Sequence, residues 1–141
     1  MKDCESHGLW YDGEMLEMGL YSAIAPLILL LLGSVWTYPA VLEEVVKWGI
    51  LKFSNSNLQF TSREGAVVGL AFGLSEAVLF TMNAWMSGVW SAIVIRLLLT
   101  VPMHVTTSVI IAWGIKYRLG WIGLVLAMLV HGGFNYFAKG W

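Results

Sequence analysis

A chain of 141 residues with 58% hydrophobic and 12% charged side chains, at a mean hydropathy of +0.73, carries about half the charge of a typical soluble domain. That balance argues against a water-soluble globular protein, and the absence of any Lys/Arg cluster argues against nucleic acid as a partner. The net charge of -1 points to no partner class, and the single cysteine, Cys4, leaves no internal disulfide and no Cys-based metal site.

The composition reads as an integral membrane protein, with room for four or five spans, short connections and no separate soluble domain. Residues 1–18 are polar and acidic, with Asp3, Glu5, Asp12, Glu14 and Glu17 against Lys2. A secretory signal leads into its apolar stretch with basic residues. The acidic lead here predicts that the first span is retained and that residues 1–18 form a mobile segment ahead of a single membrane-embedded domain, 19–141. The first span is expected over 19–38, apolar on every face at 27–32, with Trp36 and Tyr38 at an interface. Pro39 suits the first turn of a second helix, expected over 39–53. At about 15 residues that helix is short for a full crossing. It carries Glu43, Glu44 and Lys47 among apolar neighbours. Charged groups in such surroundings must pair, bind a cation or face water.

A polar loop over 54–62 precedes a third helix, opened by Arg63 and Glu64 and expected to end at Asn83. Gly65, Gly69, Gly73 and Ala77 fall four apart, a stripe that admits a second helix closely. Glu76 lies beside that stripe and is expected to face protein. Residues 84–95, with Trp85 and Trp90, read as a short interfacial belt. The fourth helix, 97–115, draws one polar face from Arg96, Thr100, His104, Ser108 and Ala112. The fifth, 120–137, places Gly123, Ala127, His131 and Asn135 at the same spacing. The fold expected is therefore all-α, a polytopic membrane bundle of about five helices.

Alternating directions test whether the polar residues share a depth. At about 1.5 Å per residue, Glu44 lies roughly 8 Å past Pro39, Glu76 roughly 10 Å before Asn83, His104 roughly 12 Å past Arg96 and His131 roughly 10 Å before Ala138. With alternation these positions fall in one layer. Lys2, Lys52, Arg63, Lys116 and Arg118 then lie on the opposite side, against Arg96 and Lys139 on the site's side, so the positive-inside rule turns the site toward the outer half of the membrane, the cell membrane if the source is prokaryotic.

Two imidazoles and one carboxylate, His104, His131 and Glu76, match the ligand set of a catalytic zinc ion. Glu43 or Glu44 would then act as general base, and Asn135, one turn from His131, would donate to an oxyanion. A metal-free version, with a glutamate and a histidine activating water directly, uses nearly the same residues. Plainer readings stand beside these. Glu43 or Glu44 with Lys47 would form an intrahelical ion pair, Glu76 would pair with Arg96, and Ser108 would be a back-bonded helix hydroxyl. An ion- or proton-coupled carrier is a further class, although no internal repeat is visible.

The order Glu43-Glu44-x-x-Lys47, Phe72-x-x-x-Glu76, His104-x-x-x-Ser108, His131-x-x-x-Asn135 resembles the PrsW-type intramembrane proteases, relatives of the CAAX prenyl endopeptidases and of bacteriocin-immunity membrane proteins. The likeness covers residues 39–137. It implies a multi-helix membrane metallopeptidase acting on a membrane-spanning or membrane-associated protein. It also implies catalytic or metal-binding roles for Glu43, Glu44, Glu76, His104 and His131, with Asn135 in support. Ala77 stands where the family would show asparagine, and the chain is shorter than typical members. A catalytically silent binding or immunity protein would keep the same residues. The Gly-x-x-x-Gly stripes would serve internal packing or a homo-oligomer.

Overall fold

The computed structural model describes residues 3–32, 39–54, 62–87 and 90–138. They form five helices, α1 (Asp3–Leu32), α2 (Pro39–Ser54), α3 (Ser62–Ser87), α4 (Trp90–Lys116) and α5 (Gly120–Ala138), and no strand among the described residues. Four segments are long and apolar enough to cross a membrane: Gly13–Leu31, Ser62–Met82, Leu97–Lys116 and Gly120–Ala138. The chain is an all-α membrane protein. At 16 residues α2 is not among these four.

Two expectations differ from the structure. The acidic residues from Asp3 onward are helical and continuous with the apolar stretch, so the first helix, α1, begins before the expected residue 19. The Trp-rich stretch is not an element of its own either: it is absorbed into the end of α3 and the start of α4. Of the expected polar loop, Ser54 ends α2 and Ser62 opens α3; residues 55–61, Trp36, Tyr38 and Lys139 lie outside the described residues, as do the side chains of Cys4, His7 and Arg96.

What is buried reverses the soluble pattern. Leu31, Leu98, Leu129 and Phe137 are exposed, while Glu44, Lys47, Glu64, Thr107, Ser108, His104 and His131 are buried. Lipid is as apolar as leucine, so a membrane bundle gains little by burying large aliphatic side chains and keeps its polar groups inside. The apolar core that does form, Met18, Leu51, Val68, Ile111, Ala112 and Ala127, joins all five helices at one end.

Glycine sets the spacing of the central pair. A Cβ added at Gly69 would lie 2.4 Å from the His104 carbonyl oxygen and 2.5 Å from Val105 Cα; one at Gly65 would lie 2.8 Å from Val109 Cα, and one at Gly73 3.0 Å from Val101 Cα. The order of these contacts makes α3 and α4 antiparallel. Gly19 against Val67, and the Ser75 hydroxyl donating to the Ala23 carbonyl at 2.6 Å, make α1 parallel to α3. Glu44 reaches His131 while Trp48 lies against Gly120, so α2 runs antiparallel to α5. The alternation on which the single polar layer depends is therefore present.

A Schellman turn joins α4 to α5. Leu119 N–H donates to the Gly114 carbonyl at 2.7 Å and Arg118 N–H to the Ile115 carbonyl at 3.0 Å, with Arg118 in the left-handed region at φ 59°. Gly114 then meets Gly123 closely enough that a Cβ on either would come within 3.0 Å of the other's Cα. This pins α5, and with it His131, against α4.

Candidate functional site

Four helices bring their ionisable groups to one place. From α2 come Glu43, Glu44 and Lys47; from α3, Glu76; from α4, His104 and Thr107; from α5, His131. Glu43 and Glu44 are adjacent, so they sit about 100° apart around α2. Glu44 therefore points fully inward and Glu43 lies at the boundary.

Glu44 Oε1 is the hub. It accepts from Lys47 Nζ at 2.5 Å, from His131 Nδ1 at 2.6 Å and from Thr107 Oγ1 at 3.3 Å. Lys47 Nζ also reaches Thr107 Oγ1 at 2.9 Å and His104 Nδ1 at 3.1 Å, and lies 5.2 Å from the centre of the Phe72 ring. A fully buried ammonium needs this many partners, since an unpaired one would cost several kcal/mol. Glu76 Oε2 takes the other side of His104, at Nε2. The Phe72 ring packs at 5.1 Å from His104, and the two imidazoles stand edge to face at 5.1 Å.

With Glu44 accepting at Nδ1, a neutral His131 carries its lone pair on Nε2. That nitrogen faces Glu43 Oε2 at 3.6 Å, and Glu43 Oε2 has no hydrogen-bond partner among the described residues. A bare imidazole nitrogen and an unpartnered carboxylate oxygen thus look at each other across a gap. The side chains that open toward the outside are Glu76, 33% exposed, and Glu43, 17% exposed, whereas Glu44, Lys47 and His104 are closed off.

The arrangement meets the sequence expectations unevenly. Glu44 with Lys47 does form the intrahelical ion pair at a spacing of three, and His104 and His131 do converge with the acids. Glu76 pairs with His104; the expected pairing with Arg96 falls on a side chain outside the described residues. The three donors grouped within 4.8 Å of one another are Glu43, His104 and His131, with Glu43 in the position expected for Glu76. Such a group could hold a metal ion. Two ligands on a tetrahedral ion at ordinary bond lengths lie about 3.4 Å apart, close to the 3.6 Å between Glu43 Oε2 and His131 Nε2. Ser108 is not back-bonded: its buried hydroxyl has no partner among the described residues, unlike Thr106, which donates to the Pro102 carbonyl. Asn135 is half-buried one turn beyond His131. Thr107 was not singled out by the polar stripe, although its spacing of three from His104 puts it on the same face.

Comparison with protein families, with curated proteins and with solved structures gives no match.

Proposed function

We propose that this protein is a membrane-embedded hydrolase that cleaves a peptide bond in a membrane-spanning or membrane-associated protein. The observation that carries the reading is that His131 Nε2 faces Glu43 Oε2 at 3.6 Å, the latter without a hydrogen-bond partner among the described residues, beside a carboxylate that fixes the imidazole from behind. A carboxylate on Nδ1 holds the tautomer and orientation in which Nε2 takes a proton. Water seated between Nε2 and Oε2 would lose a proton to His131 as its oxygen attacks the scissile carbonyl carbon. The C–N bond would then break as His131 returns that proton to the leaving amine. Glu43 orients the water, Glu44 positions His131, and Asn135, one turn along α5, supplies a donor to the oxyanion.

The residues also suit a divalent ion. Glu43 and His131 would hold it, with His104 joining them only where Lys47 has withdrawn from its ring, and zinc bound there would polarise the water as a Lewis acid. Glu44 keeps the same positioning role toward His131 in that case.

One observation favours a second reading. Lys47, fully buried and bonded to Glu44, His104 and Thr107, makes the cluster a closed ion-pair network of the kind that specifies helix packing without turnover. Purified protein incubated with a membrane-spanning peptide separates the readings. Cleavage lost in Glu43→Gln supports the hydrolase, and loss with a chelator as well supports the metal form. An intact peptide under every condition supports the structural network. The site's place in the outer half of the membrane is part of the proposal and is tested by accessibility of a cysteine placed at Met86.

A further inference from the structure

The donor and acceptor count around Lys47 decides the state of His104. A lysine ammonium has three hydrogens and no lone pair. Three acceptors surround Nζ: Glu44 Oε1 at 2.5 Å, Thr107 Oγ1 at 2.9 Å and His104 Nδ1 at 3.1 Å. The Thr107 hydroxyl gives its own hydrogen to Glu44 Oε1 or to the His104 carbonyl, at 3.3 and 3.2 Å, so its oxygen is left to accept. The remaining ammonium hydrogen goes to His104 Nδ1, which must present a lone pair. The ring proton of His104 is then on Nε2, where Glu76 accepts it.

A neutral His131 is in the opposite state: with the Glu44 carboxylate against Nδ1, its proton is on Nδ1 and its lone pair on Nε2. Of the two imidazoles in the Glu43, His104, His131 group, only His131 offers a metal an open nitrogen.

We infer that Lys47 is a positioning residue that holds His104 in its Nε2–H tautomer and thereby keeps divalent cations off that histidine. A metal ligand nitrogen must be unprotonated. Ligation at Nδ1 needs the place that Lys47 Nζ occupies. Ligation at Nε2 moves the ring proton to Nδ1, where it meets an ammonium hydrogen head on. In both cases Lys47 must withdraw before His104 binds metal. Lysine and metal are therefore alternative cations for one anionic pocket, and access of metal is set by a residue that is not itself a ligand. The inference rests on the Glu43, His104, His131 donor set and is independent of peptide-bond cleavage.

The test uses full-length protein in detergent micelles, labelled with ¹⁵N in the histidine rings and assigned with His104→Gln. In the wild type His104 should show the Nε2–H pattern and His131 the Nδ1–H pattern. Zinc titrated into Lys47→Met should bind at least about tenfold more tightly than to the wild type, the scale on which partners of metal-ligating histidines act. Lys47→Arg, which keeps a cation, should stay close to the wild type. An Nδ1–H pattern at His104 in the wild type overturns the inference without recourse to any variant. Unchanged or weaker zinc binding in folded Lys47→Met overturns it as well. Failure of the hydrolase reading would show separately, as an uncleaved peptide with these ring patterns intact.

Discussion

Breaking the Glu44 hub should be costly, and the size of the effect follows from the geometry. Glu44 and Lys47 are both fully buried with 2.5 Å between their charged atoms. At an effective dielectric of about 20 this separation corresponds to roughly 7 kcal/mol of attraction, before desolvation takes a large part back. Glu44→Gln keeps the shape but leaves the ammonium uncompensated, so it should destabilise the protein by about 3–5 kcal/mol. Lys47→Met should destabilise it by a similar amount, since Glu44 Oε1 loses its nearest donor. The double variant Glu44→Gln with Lys47→Met removes both charges and should cost well below the sum of the singles, with a coupling of about 2–3 kcal/mol. Reversible unfolding in mixed micelles, followed by helical circular dichroism, measures all four proteins. Single variants within about 0.5 kcal/mol of wild type, or a strictly additive cycle, would refute the hub.

Other outcomes follow from individual contacts. Gly69→Ala drives a methyl group into the backbone of α4 at His104 and Val105, and should lower stability by about 1–3 kcal/mol or more in the same unfolding assay. Ser108→Ala removes a buried hydroxyl without a described partner; it should stabilise by about 1 kcal/mol and leave peptide cleavage unchanged, which also tests that Ser108 is no nucleophile. Arg118→Gly relieves the left-handed position in the α4–α5 turn and should raise stability by about 1 kcal/mol. Glu43→Gln should reduce cleavage by about 10²-fold or more, read as product formed per unit time, while the unfolding midpoint moves little.

Much of the fold could be read from the chain because each helix carried its own signal. Pro39 marked the start of α2, and Gly65, Gly69 and Gly73 marked the face of α3 on which α4 lies. The common depth of Glu44, Glu76, His104 and His131 was legible too, since it depends only on the rise per residue and alternating directions. Rotation about each helix was not. Whether Glu43 or Glu44 turns inward depends on the angle at which α2 lies across α4 and α5, and helix periodicity alone leaves that angle free. For this reason the metal-competent group contains Glu43, and Glu44 serves His131 from behind. The extent of α1 was hidden for a different reason: acidic side chains at a helix start are compatible with helix, and polarity alone does not end one.

The proposed reaction is attack of water on a peptide bond beside His131 and Glu43. Mass spectrometry of a membrane-spanning peptide, reconstituted with the protein in vesicles and incubated in H₂¹⁸O, reads that step directly. Two fragments should form, with one ¹⁸O in the new carboxyl terminus, in the wild type and not in Glu43→Gln. A peptide recovered whole from the wild type, or fragments formed equally by the variant, would contradict it.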